Sequence, residues 1–287
     1  KGRLWVAENY TYAESKDSFA TNLQDRILIL EDTHRDGHFD KRTVFWDQGR
    51  ILTSLETGMG GVFALCPPRL LFIPDRNGDD IPDGDPQVLL DGWDFARDTH
   101  ETLNSFLWGP DGWLYGCHGV FTHSRVGKPG TPDDQREPIN AGVWRYHPVR
   151  HEFEVFAHGT SNPWGLDYDQ HGEWFVTACV IPHLYHIVPG GRYQRQAGQH
   201  FNAYTYEDIK TIADHAHYAG NPRPDVTFDK TTGAGVMNND TNALGGGHAH
   251  CGLAIYQSSL FPPTYRNQLI FGNLHGHRLV TNYTDPH

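Results

Sequence analysis

Cysteine is scarce in this 287-residue sequence, and the cysteines that occur form no recognisable motif. The four are Cys66, Cys117, Cys179 and Cys251. Four cysteines are too few for a disulfide scaffold, and the absence of CxxC and CxxCH excludes thiolate-zinc and covalent-haem sites in this segment. We expect mostly free, buried thiols, because small apolar residues suit tightly packed strands.

Basic residues and long apolar runs are also in short supply. Lysine and arginine number 23 against 35 aspartate and glutamate, which gives a formal net charge of −12. An acidic surface repels phosphate backbones, so no nucleic-acid partner is expected. No run of about 18 apolar residues occurs, so no membrane span is predicted. The sequence begins within a strand pattern and has no leader, so we expect a fragment of a longer chain.

Aromatic residues and turn formers are abundant, and they recur in one repeated phrase. Aromatics make up 13% of the chain, with 31 glycines and 18 prolines. The phrase consists of a polar turn, a short apolar strand, a Pro/Asp/Gly turn and an aromatic strand. Two strands joined by such a turn are a strong signal for a β-hairpin. Its copies lie at residues 2–8 (a second half only), 58–73, 104–117, 162–178 and 251–274.

Further strand pairs lie between the copies, for example residues 26–32 with 42–45 and residues 142–146 with 152–156. Two hairpins make a four-stranded blade, so we predict an all-β fold, a β-propeller, as a single domain over 1–287. Trp113, Leu114 and Tyr115 should lie in a strand. A helical insertion is predicted near 205–219, where Ile209, Ile212 and Ala213 share one helical face. A β-sandwich or two small β domains is the alternative, but neither explains the recurrence.

Four stretches of the sequence carry a family resemblance. The stretch 100–115, HETLNSFLWGPDGWLY, resembles the soluble glucose and sorbosone dehydrogenases, and Asn162-Pro163-Trp164-Gly165-Leu166 resembles their RNP-x-GL element. The sequence is most similar to the N-terminal propeller of a membrane-bound dehydrogenase family of planctomycete-type bacteria, through residues 5–9, 98–119 and 245–253. That resemblance covers nearly the full length.

The resemblance implies a six-bladed type of propeller, of which this chain covers about four to five blades, truncated at both ends. It also implies pyrroloquinoline quinone and Ca²⁺ as cofactors, a periplasmic or secreted location, and a haem domain elsewhere in the full-length chain. The sequence departs from the pattern at two cations. Ser161 replaces the arginine of RNP, and no lysine stands at residues 273–277, where the family's axial lysine falls.

Histidines supply the candidate catalytic and cofactor-binding residues. His100 precedes the GPDG hairpin, as the family's catalytic base does, and imidazole can take a hydroxyl proton near neutral pH. The nineteen histidines include i, i+2 pairs at 215/217, 248/250 and 275/277. Such spacing puts both rings of a pair on one strand face. With Asn162, the predicted cofactor-binding residues are His248, His250 and His275. Histidines that converge on the axis could instead hold zinc, copper or iron, or simply line it with hydrogen bonds.

Two acidic turns have oxygen ligands at alternate positions. Asp75, Asn77, Asp79 and Asp83 follow the spacing of a calcium loop, but Pro86 stands where an EF-hand needs its bidentate glutamate. We predict a structural Ca²⁺ site at these four residues, the alternative being a solvated hairpin turn. The turn at residues 32–40 is similar, but we predict no ion there because basic residues interrupt it.

Three functions remain open on the sequence. The chain could be an oxidoreductase-like propeller that acts on a sugar or polyol, with His100 as base and with Asn162 and His250 lining the site. It could be a non-catalytic propeller that stacks carbohydrate on its aromatic rings, for which Trp108, Trp113, Trp164 and Tyr115 are candidates. It could also be a histidine-metal enzyme at the propeller axis. In each case the expected partner other than a metal is a small carbohydrate or polyol.

Overall fold

The computed structural model describes residues 2–12, 19–20, 22–96, 103–179, 182–195, 198, 200–201, 207–213, 219, 226–228, 235–237, 239–247 and 249–284. The strands are β1 Arg3–Glu8, β2 Asp25–Glu31, β3 Lys41–Gly49, β4 Ser54–Gly58, β5 Gly61–Cys66, β6 Arg69–Pro74, β7 Gln87–Asp91, β8 Leu103–Trp108, β9 Leu114–His118, β10 Ser124–Val126, β11 Glu137–Ile139, β12 Gly142–His147, β13 Glu152–His158, β14 Asn162–Tyr168, β15 Trp174–Cys179, β16 Leu184–Ile187, β17 Val226–Phe228, β18 Gly235–Met237, β19 His250–Ile255, β20 Leu269–Asn273 and β21 Arg278–Asn282. The described residues include one short α-helix, α1, over Asn239–Ala243, and two single-turn 3-10 helices, Asp133–Gln135 and Pro263–Tyr265. Within these ranges, no helix is long and apolar enough to cross a membrane.

Most strands belong to five antiparallel sheets, each formed by strands that follow one another along the chain except where β10-β11 interrupts the third. Their orders are β1-β2-β3, β4-β5-β6-β7, β8-β9-β12-β13, β14-β15-β16 and β19-β20-β21. The hairpin β10-β11 is inserted between the second and third strands of the third sheet, and β17-β18 is a separate hairpin. In the last three of these sheets the repeated phrase forms the first two strands, as the hairpin signals predict. The copy at 58–73 forms β5 and β6, the second and third strands of its sheet, and the copy at 2–8 forms β1.

The apolar core is divided among the spaces between consecutive sheets. One cluster joins the first two sheets, for example Ile29 with Val62. Equivalent clusters join the second sheet to the third, the third to the fourth and the fourth to the fifth. The first strands β4, β8, β14 and β19 also pack side by side in that order. Each sheet therefore packs against the next sheet along the sequence, and the first strands are neighbours. This arrangement is that of a β-propeller.

The predicted β-propeller is thus confirmed, and the alternative of a β-sandwich is wrong, since a sandwich has one core between two sheets. The predicted strand at 113–115 begins one residue later, because β9 starts at Leu114 and Trp113 precedes it. The expected free thiols are confirmed for all four cysteines. Burial raises the pKa of Cys66 and of Cys117 to about 12, so both stay protonated and unreactive.

The prediction of a helix near 205–219 is wrong where the chain is described, at residues 207–213. Ile209 forms a bridge with Tyr193, and Ala213 forms one with Leu184 at the outer edge of β16. The amide of Ile212 donates to the carbonyl of Leu184 at 3.1 Å. The three-stranded fourth sheet thus finds partners for its outer edge, and this pairing overrides the local helical periodicity. The rest of that predicted insertion, apart from residue 219, lies outside the described residues.

Candidate functional site

Equivalent strand ends bring polar residues of neighbouring sheets together. The first residues of β8, β14 and β19 are Leu103, Asn162 and His250, and they pair with His118, Cys179 and Asn273 at the ends of the second strands. We call this end of the three sheets the polar end. Because their first strands pack side by side, the polar end places Asn162 and His250 at matching positions of adjacent sheets.

The same irregularity follows each of these strand starts. The register of β8-β9 shifts after Asn104, that of β14-β15 after Pro163 and that of β19-β20 after Cys251. Non-glycine residues with positive φ stand close by, namely Ser105 at 62° and Ala249 at 61°. Bulges re-aim side chains beside functional sites, and backbone strain of this kind collects there. Because this register shift recurs in three sheets, it is a regular structural feature of the polar end.

Two buried histidines are in contact at the polar end. His183, in the turn before β16, is 1% exposed, and His250 is fully buried. Their ring centroids are 4.4 Å apart, and the ring of Phe271 lies 5.6 Å from each. The Sγ of Cys179 donates to the carbonyl of His250 at 3.1 Å, which ties the two sheets together. His183 was not predicted from the sequence. Its position after a second strand, which His275 shares, is the signal that could have found it.

Two buried asparagines at the polar end differ in how their side chains are used. The Oδ1 of Asn273 accepts the amide of Gly276 at 2.8 Å, which fixes the β20–β21 turn. The Oδ1 of Asn162 is buried and has no hydrogen-bond partner among the described residues. Native proteins satisfy nearly all such groups, so an orphaned acceptor beside a histidine pair is a candidate ligand contact.

His118 is buried at the polar end of the third sheet, but its hydrogen bonds are internal. Its Nδ1 lies 3.0 Å from the carbonyl of Gly119, and its Nε2 lies 2.7 Å from the Oγ of Ser124. Nδ1 is therefore the donor and Nε2 the acceptor. Burial is the main cause that lowers the pKa of His118 to about 4. A neutral ring with both nitrogens engaged serves structure rather than proton transfer.

The predicted histidines fall partly within the described residues. His275 is half-buried in the β20–β21 turn, whose Leu274 amide donates to the carbonyl of Ala249 at 3.1 Å, so the turn lies beside the start of β19. Burial, and then the charge of His277, lower the pKa of His275. His100 and His248 lie outside the described residues, as do His215 and His217. Their roles stay predictions, as do those of Asn162, His250 and His275.

The aromatic candidates separate into core and surface. Trp113 and Tyr115 are buried in the cluster between the third and fourth sheets. Trp108 is half-buried and donates from Nε1 to the carbonyl of Thr57, which joins the second and third sheets. Trp164 is 43% exposed on β14, two residues after Asn162. Of these four rings, that of Trp164 is therefore the most accessible to a ligand.

The cations in the described part of the polar end are bonded to other groups. Arg278, which pairs with Asn273, donates to the carbonyl of Gly276 at 2.8 Å and to Oδ1 of Asn242. Ser161, which stands where the resemblance expects arginine, is fully buried, and its Oγ donates to the carbonyl of Cys179 at 3.3 Å. Arg195 donates to the carbonyls of Asn140 and Val120, so its guanidinium is engaged with the backbone. No lysine occurs in the strands and turns that hold these side chains. These residues do not fit pyrroloquinoline quinone, which needs basic partners for its carboxylates.

The predicted calcium loop connects β6 to β7, and its side chains cap the turn. Asp75 accepts the amides of Gly78 and Asp79 at 2.9 and 3.2 Å. The amide of Arg76 donates to Asp83 at 2.6 Å, and Nδ2 of Asn77 donates to Asp79 at 3.0 Å. Among the described residues, no group of three or more histidine, cysteine or acidic side chains is placed to hold a metal ion. The Ca²⁺ site stays a prediction.

Comparison with known proteins gives one family and several similar structures. The model of a domain of unknown function, DUF7133, matches residues 1–284. No curated protein matches the chain. A PQQ-bound aldose sugar dehydrogenase from Streptomyces coelicolor is 15% identical, with a TM-score of 0.49, over 99% of this chain and 82% of that one. A candidate gluconolactonase from a structural genomics consortium is 11% identical, with a TM-score of 0.45, over 91% and 71%. A luciferin-regenerating enzyme is 10% identical, with a TM-score of 0.31, over 79% and 86%.

The family match and the fold agree in extent. The matched residues run from the first sheet to the end of the fifth, so they include the whole polar end. The chain therefore belongs to the DUF7133 family of domains of unknown function.

Proposed function

We propose that this protein is a sugar- or polyol-binding propeller of the oxidoreductase type, with its site at the polar end. The observation that carries the proposal is the buried acceptor of Asn162 next to the His183–His250 pair. Sugars offer hydroxyl donors for such an acceptor, and buried polar groups without partners are where a ligand gains specificity. The exposed ring of Trp164, on the same strand, supplies a flat apolar surface for a sugar face.

The chemistry proposed for the protein's own residues is proton removal and orientation. His100 would take the proton of a substrate hydroxyl while hydride leaves the same carbon for an electron acceptor. Asn162 would orient that hydroxyl, and His250 would line the site. A quinone of the kind held by the similar aldose sugar dehydrogenase would need basic partners for its carboxylates. Among the described residues of the polar end, Arg195 and Arg278 are bonded to other groups and are not available to such carboxylates.

The test is dye reduction by the purified protein with aldoses and polyols, with and without added quinone and Ca²⁺. His100→Ala should lower turnover by about 10²–10⁴, the usual contribution of a positioned general base, with a smaller effect on substrate affinity. His171→Ala is the matched control, since that histidine lies in the exposed turn between β14 and β15, at the other end of the sheet. Normal turnover in His100→Ala would show that His100 is structural.

The exposed Trp164 supports a second candidate, a propeller that binds carbohydrate without catalysis. In that case the protein binds sugars by calorimetry but reduces no dye under any cofactor condition. Trp164→Ala should weaken sugar binding about five- to tenfold under both functions, because stacking on an aromatic ring contributes on the order of 1 kcal/mol. Trp108→Phe, at the ring that joins two sheets, should leave sugar affinity unchanged. Equal sugar affinity of wild type and Trp164→Ala would remove the ring from the site.

A further inference from the structure

A cavity lies between the first two sheets, outside the polar end. Its volume is about 500 Å³, and it is bordered by the end of β3, the β3–β4 loop, the β5–β6 turn and β7. That volume falls within the usual range for small-ligand pockets. None of the residues that line it belongs to the candidate site, so its occupant is independent of the proposed function.

The walls of this cavity are apolar and rich in rings. They include the indole of Trp46, the ring of Phe95 and the consecutive prolines Pro67 and Pro68. Trp46 is 8% exposed, and its Nε1 is buried without a hydrogen-bond partner among the described residues. An apolar wall with an unsatisfied donor favours a flat organic body that carries an acceptor.

The charged residues at the cavity are both arginines. Arg50 and Arg69 border it, and no aspartate or glutamate lines it. Both side chains are exposed, and neither forms an ion pair in the described part of the chain. Nearby cations differ, because Arg125 pairs with Asp133 and Arg136 pairs with Asp91.

No carboxylate among the described residues forms an ion pair with either guanidinium, although the chain has a net charge of −12. A guanidinium binds a carboxylate through two parallel hydrogen bonds, so the pair forms a cationic rim to an apolar cavity. Charge complementarity therefore favours an anion with a flat apolar body.

We propose that this cavity binds a small aromatic carboxylate, with its ring against Trp46 and its carboxylate held by Arg50 and Arg69. In this arrangement the carboxylate lies at the rim of the cavity, and the ring packs against the apolar wall. Each charged hydrogen-bonding partner should contribute about a tenfold gain in affinity.

The experiment is calorimetric titration with phenylacetate, and with phenylacetamide as the neutral probe of the same shape. The wild-type protein should bind phenylacetate at least tenfold more tightly than phenylacetamide. The double variant Arg50→Gln/Arg69→Gln should lose that preference, and Val88→Trp, which places an indole at the cavity wall, should weaken the binding of both probes. Arg266→Gln is the control, because Arg266 is exposed and belongs to another part of the fold.

The proposal fails on any of three results. Equal affinity for the two probes would exclude a role for the charge. Unchanged phenylacetate binding in the double variant would exclude these two arginines, and binding no tighter than millimolar in the wild type would exclude the site. The exposed positions of both arginines make unfolding of the double variant unexpected, and circular dichroism checks it.

Discussion

Replacing Asn162 by alanine should separate stability from function at the polar end. The Oδ1 of Asn162 is buried without a partner in the described residues, and an unsatisfied buried acceptor costs about 1–3 kcal/mol. Truncation removes that cost but also removes the packing of the amide, which contributes a similar amount. We therefore expect the free energy of unfolding of Asn162→Ala to stay within about 1 kcal/mol of the wild-type value.

Asn273→Ala is the matched control, since Asn273 is also buried and its Nδ2 also has no partner among the described residues, but its Oδ1 accepts the amide of Gly276 at 2.8 Å. Its loss leaves that buried amide unpaired, so the variant should be about 2–3 kcal/mol less stable than wild type. Urea unfolding followed by tryptophan fluorescence measures both variants, provided that they unfold in two states.

The functional half of the prediction concerns sugar binding. If Asn162 accepts a hydrogen bond from a substrate hydroxyl, Asn162→Ala should weaken sugar binding or lower turnover about tenfold, the usual cost of one neutral hydrogen bond. The combination of unchanged stability and reduced activity identifies a residue kept for function. If Asn162→Ala were as destabilised as Asn273→Ala, or bound sugar normally, the reasoning would be refuted.

Three further predictions concern other parts of the fold. Calcium should raise the melting temperature of the wild type and of Asp36→Asn, but not of Asp75→Asn; an equal rise in both variants would count against the β6–β7 loop. Because burial holds the pKa of His118 near 4 rather than 6.5, about 3 kcal/mol of stability present above pH 6.5 should be lost as the pH falls to 4; His118→Gln should flatten that part of the stability–pH curve. Asp25 is buried and accepts the amides of Thr11 and Leu52, each at 2.8 Å, so Asp25→Ala should cost about 3–4 kcal/mol in urea unfolding; a loss below 1 kcal/mol would contradict this.

The propeller was predictable because its signal is local and repeated. Each blade phrase is a hairpin with its own turn residues, so five copies indicate the same sheet five times without any knowledge of distant contacts. The helix at residues 205–219 failed for the opposite reason. Ile209, Ile212 and Ala213 have a helical period, but residues 207–213 are used at the open edge of a three-stranded sheet. An edge that needs partners exists only once the sheet has assembled, so the local sequence pattern does not reveal it.

The candidate site was only half predictable, because its members meet through register and sheet packing. Asn162 and His250 could be placed together, since both begin the first strand of a phrase and a propeller aligns such positions. His183 lies 67 residues before His250 in the sequence, and no short motif joins the two. Their contact depends on Cys179 pairing with Asn162 and on β15 packing against β19. The site therefore depends on which strand ends coincide in space, whereas the fold depends on how often the phrase recurs. For this reason the blade fold does not depend on the residue at position 161, which is Ser161 where the resemblance to the sugar dehydrogenases expects arginine.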